Sequence, residues 1–76
     1  MEQTIYKVIV YYDAEHIIDS TIFWDRIAAI REAHRIYDDC EIDSDIVYVY
    51  KEEADKDSGA FVTTERVLKL TKEVQP

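Results

Sequence analysis

The sequence predicts an α+β domain in the order strand, strand, helix, strand, strand, with one helix packed on one face of an antiparallel-rich four-stranded sheet. Two observations predict it. Residues 4–12 and 45–52 are dense in β-branched and aromatic side chains, and one amphipathic stretch of helical period lies between them. At 76 residues the chain holds one domain, 1–76, with a thin core.

Residues 4–12, Thr-Ile-Tyr-Lys-Val-Ile-Val-Tyr-Tyr, form the first expected strand. Asp13, Ala14 and Glu15 are short and polar and suit a hairpin turn, after which His16, Ile17, Ile18 and Asp19 return as a shorter strand. Ser20 and Thr21 are good helix N-caps, and Asp25 suits the positive end of a helix dipole. Phe23, Ile27, Ile30, His34 and Tyr37 step by four and three, so a helix over residues 22–38 places them on one apolar face beside Ala33. Asp25, Arg31, Glu32 and Arg35 take the opposite face. The polar run from Asp39 to Ser44 ends this helix.

Residues 45–52 contain Ile-Val-Tyr-Val-Tyr, and 55–59 are a turn whose Gly59 accepts positive φ without cost. Residues 61–71 read as the last strand. A helix from Thr64 competes with it, because Val67, Leu70 and Val74 also match helical spacing. Residues 72–76 are expected to fray. The expected core is Val8, Val10, Ile27, Ile30, Val47 and Val49. With those valines inside, alternation puts Ile46, Tyr48 and Tyr50 on the uncovered face, near Tyr11 or Tyr12.

Charge is the first pointer to function. Seventeen acids against nine bases give −8, and residues 38–57 alone carry −7. The nine acids of that segment are Asp38, Asp39, Glu41, Asp43, Asp45, Glu52, Glu53, Asp55 and Asp57, opposed only by Lys51 and Lys56. Such a balance disfavours DNA, RNA and anionic membranes as direct partners, because phosphate affinity rests on clustered Lys and Arg. It favours a basic protein partner, which the field would steer into contact. Tyr48 and Tyr50 join these acids as candidate partner-binding residues, since tyrosine is favoured where surfaces recognise proteins. Base stacking on that face would call for basic residues beside the aromatics, and the expected neighbours are acidic.

Chemistry finds little footing. His16, His34 and Cys40 are the only soft metal ligands and none has zinc-knuckle spacing; a calcium loop counted from Asp55 puts Ala60 and Arg66 where glycine and glutamate belong. Ser20, Ser44 and Ser58 sit in cap or turn contexts, and the acids before Cys40 raise rather than lower a thiol pKa. One glycine excludes phosphate-cradling glycine loops. No enzyme activity, cofactor or metal is expected. A single cysteine, no apolar run long enough to span a membrane, and an N-terminus without the positive charge of a leader suit a cytoplasmic protein, in a host cell if phage-encoded.

In length, element order, acidity and lack of a catalytic motif, the whole chain resembles small acidic phage-encoded inhibitors of host proteins, of the anti-CRISPR type and of the kind that block bacterial RNA polymerase. The resemblance is one of format and carries no family motif. It implies a non-enzymatic inhibitor that engages a basic nucleic-acid-handling protein by steric block or by nucleic-acid mimicry. The alternative is a small structural or homo-oligomerising domain, in which a second copy covers the open sheet face.

Overall fold

The computed structural model describes residues 3–12, 17–39 and 44–71. Its elements are β1 (Thr4–Tyr11), β2 (Ile17–Phe23), α1 (Arg26–Asp38), β3 (Ile46–Ala54) and β4 (Phe61–Thr71). The strands form one sheet in the order β2-β1-β3-β4, antiparallel at every step. Two hairpins thus lie side by side with their first strands adjacent, and the single helix joins them across one face.

Register explains the core. Val8 lies opposite Val49 and Val10 opposite Val47, so four valines form a compact square on one side of the two central strands. All four are buried, and against them pack Ala29, Ala33 and Ile36 of α1. Alanine at successive turns lets the helix backbone approach a valine-lined sheet closely. Phe23, Tyr6, Tyr37, Val67, Leu68 and Leu70 close the margins. The Tyr37 hydroxyl donates to the Thr71 carbonyl at 2.8 Å, and Arg26 meets Glu65 at 3.0 Å, tying both ends of the helix to β4. Ser44 is buried beside this layer with its hydroxyl unpartnered among the described residues.

The helix starts later than its sequence suggests. Ser20 and Thr21, expected as caps, lie in β2, where Ser20 pairs with Ile9 and Thr21 with Val8. Thr21, Ile22 and Phe23 favour extended backbone, and pairing with β1 holds them there. The cap is Asp25 instead, its backbone extended and its carboxylate accepting from the Ala28 N–H at 2.9 Å.

The apolar face also differs from the expected one. Ala29, Ala33 and Ile36 point inward, a stripe rotated by about one residue step, ~100°, from Phe23–Ile27–Ile30–His34–Tyr37. Ile27 is therefore 58% exposed and is not core, Ile30 is only partly buried, and His34 is exposed rather than partly buried in structure. The expected stripe began at Phe23, but Phe23 reaches the core from a strand, so it does not set the phase of the helix.

Beyond α1 the expectations hold. β3 runs two residues past its expected end, and β4 is a strand throughout, without the competing helix from Thr64. The β3–β4 turn closes with the Gly59 N–H donating to the Asp55 carbonyl at 2.8 Å, and Gly59 takes φ 75°, a conformation costly for other residues. The expected turn at Asp13–Glu15, His16, Cys40, Glu41, Asp43 and residues 72–76 lie outside the described residues.

Candidate binding surface

Each strand that gives valines to the helix side gives its alternate residues to the other side, which no helix covers. On β3 these are Ile46, Tyr48 and Tyr50, as alternation predicts; on β1 they are Ile5, Lys7, Ile9 and Tyr11. Tyr11, not Tyr12, is the neighbour. Its ring meets Tyr48 edge to face at 5.7 Å between centroids, and Tyr48 stacks on Tyr50 at 5.2 Å. Tyr11, Ile46, Tyr48 and Tyr50 line a shallow open depression. Partial burial, reinforced by the neighbouring Tyr48 and Tyr11, raises the pKa of the Tyr50 hydroxyl, and Arg66 offsets a little of that rise.

The segment that holds Tyr48 and Tyr50 is acidic on balance, but their partners across the sheet are basic. Tyr50 pairs across β1 with Lys7 and across β4 with Arg66. Tyr48 pairs with Lys69, whose Nζ lies 5.9 Å from the ring centroid. This corrects the expectation of an acidic setting. Distant strands supply the cations, so no reading along β3 alone would find them.

The acids of residues 38–57 are drawn apart. Asp38 ends α1, Asp39 follows it with its N–H donating to the Ile36 carbonyl, and Asp45 directly precedes β3. Glu52, Glu53, Asp55 and Asp57 lie at the far end of the same strand and in its turn. Ten residues of extended chain from Asp45 to Asp55 span about 33 Å. The described acids of the segment therefore form two acidic poles rather than one patch. Several acids in the second pole have local work. Asp55 accepts from the Ser58 hydroxyl at 3.0 Å and the Asp57 N–H at 3.4 Å, Glu52 accepts from the Thr63 hydroxyl at 3.2 Å, and Glu53 pairs with Lys51 at 3.3 Å. Asp38, Asp45 and Asp57 are exposed.

Large apolar side chains that sequence reasoning did not mark as surface stand at the β2–α1 junction. Trp24 is 71% exposed, Ile27 58% and Ile22 53%. Their signal in the sequence is weak: Trp24 sits between the last strand residue and the cap Asp25, where neither a two-residue nor a 3.6-residue period governs it. Phe61 and Val62 are likewise exposed at the start of β4.

Among the described residues no group of three or more His, Cys, Asp or Glu is placed to hold a metal. No helix among them is long and apolar enough to cross a membrane. No family model, no curated protein and no solved structure matches this chain.

Proposed function

We propose that this chain is a non-enzymatic binding module that engages a basic, nucleic-acid-handling protein and obstructs it by occupying its surface. The observation that carries the reading is Trp24, the only tryptophan, which is 71% exposed where β2 gives way to α1. A domain this small gains nothing in stability from such exposure, whereas Trp is the side chain most enriched where partners are gripped. The exposed acids at both poles supply long-range attraction to a basic surface, and an apolar anchor at the junction supplies the short-range hold. Binding alone is enough for obstruction, so no bond need be broken.

Two variants of the chain, tested on a purified basic partner recovered from a host lysate, separate these contributions. Trp24→Ala should speed dissociation and leave the melting temperature unchanged. Changing Asp38, Asp39, Asp45 and Asp57 together to Asn should slow association, and wild-type binding should weaken as salt rises towards about 0.5 M, where screening reaches only about 4 Å. Binding indifferent to both variants and to salt would overturn the proposal.

A further inference from the structure

We infer that the open face of the sheet binds a single-stranded nucleic acid, with bases against Tyr11, Tyr48 and Tyr50 and phosphates against Lys7, Arg66 and Lys69. This goes beyond the protein-binding reading, because it concerns a different surface and a different class of ligand, and either can fail alone. The argument begins with charge. The chain has seventeen acids and nine bases, so a base left without a carboxylate is unexpected. Arg26, Arg35 and Lys51 each have one: Arg26 with Glu65, Arg35 with Glu32 and Lys51 with Glu53. Lys7, Arg31, Arg66 and Lys69 have no ion pair among the described residues, and all of them but Arg31, which stands on the helix, flank the tyrosine row.

Two strands deliver these cations to one surface. Lys7 comes from β1 on one side of Tyr50, while Arg66 and Lys69 come from β4 on the other side of Tyr50 and Tyr48. One carboxylate shares this side of β3: Glu52, the next residue on this face after Tyr50, lies opposite Ile5 and Thr63 and accepts from the Thr63 hydroxyl. The remaining acids of residues 38–57 lie at the poles or beyond the described residues. The result is a local positive, aromatic surface on a strongly negative chain.

The chemistry selects the occupant. Planar rings flanked by cations match bases joined by phosphates, and base stacking on tyrosine tolerates any sequence because every base has a π-face. A duplex hides those faces, so the ligand is a single strand. A second copy of this chain is a poor occupant, since packing this face on itself would gather both sets of Lys7, Arg66 and Lys69 at one interface. An acidic peptide meets the cations but offers the tyrosines no rings. Binding would move the Lys69 amine from its place over Tyr48 and release it towards a phosphate.

Fluorescence anisotropy of a labelled oligothymidylate about 12 nucleotides long, at about 50 mM salt, tests this directly. The single strand should bind at least tenfold more tightly than the matching duplex or a polyglutamate chain. With three phosphates engaged, log affinity should fall against log salt with a slope of about −2. Arg66→Glu with Lys69→Glu should abolish binding and leave melting intact. Tyr48→Ala should weaken binding about tenfold or more, and Tyr48→Phe, which keeps the ring and guards against a folding defect, should retain it. No binding by the wild-type chain, equal binding of polyglutamate or duplex, or a wild-type dimer that buries the tyrosines would each overturn the inference.

Discussion

The two sides of the sheet are built from the same strands and differ in almost every other respect. Beneath α1, β1 and β3 contribute four buried valines, short and β-branched, that leave room for Ala29, Ala33 and Ile36. On the open side the alternate positions carry three tyrosines, three isoleucines, a lysine and Glu52, all but Ile5 half-buried. Ile5 makes the contrast sharper. Alternation puts it on the open side, outside the cluster under the helix, yet it is only 4% exposed. Long neighbouring side chains on that side therefore shield part of the sheet themselves. One face is closed by a packed element, the other by amphipathic side chains that keep polar tips in water. A surface of the second kind covers the sheet and stays available to a partner.

The largest expected effect lies on the closed side. Ile36→Ala should cost about 2–5 kcal/mol in chemical denaturation, because it opens a cavity against the valines. Ile27→Ala, one helix face away, should change stability by no more than about 0.5 kcal/mol. Equal losses at the two positions would mean that α1 sits on the sheet by the stripe read from its sequence.

That pair of residues also marks the limit of what the sequence made legible. Element order, the register-dependent split of valines from tyrosines, the turn at Gly59 and the last strand were all readable from composition and alternation. The phase of the helix was not. Isoleucines outweigh alanines in any hydrophobic count, whereas close packing on a valine sheet rewards the smaller residue. Lys7, Arg66 and Lys69 were legible as charges but not as neighbours of Tyr48 and Tyr50, because antiparallel pairing joins residues far apart in the chain. Trp24 was hidden by its position between two periods. The acids of residues 38–57 read as one block, but those among the described residues fold as two poles near opposite ends of β3.

A smaller effect is expected on the open side, and it depends on pH. The raised Tyr50 pKa means that the folded state holds this proton more tightly than the unfolded chain. Stability from this source is complete below the ordinary tyrosine value of 10.0 and is lost as pH rises through the higher folded value. Tyr50→Phe should therefore flatten the fall in melting temperature above about pH 10, where wild-type and variant curves otherwise run parallel. Curves that stay parallel through that range would place Tyr50 in water.

The smallest effect concerns Ser44, buried with an unpartnered hydroxyl among the described residues. Ser44→Ala should be neutral or stabilising by up to about 1 kcal/mol, since no hydrogen bond offsets the burial of that hydroxyl. A clear destabilisation would show that the hydroxyl has a partner.

The division of labour between the two faces is tested most directly by thermal unfolding of two double variants side by side. Val47→Ser with Val49→Ser puts two hydroxyls under the helix, and Tyr48→Ser with Tyr50→Ser puts two on the open face of the same strand. The valine variant should show no cooperative transition at any temperature, because a small domain cannot absorb the loss. The tyrosine variant should still melt in a single cooperative step, at a lower temperature. Loss of the transition in both would contradict the account, since the tyrosines would then hold the fold together and would not be a surface kept for a partner.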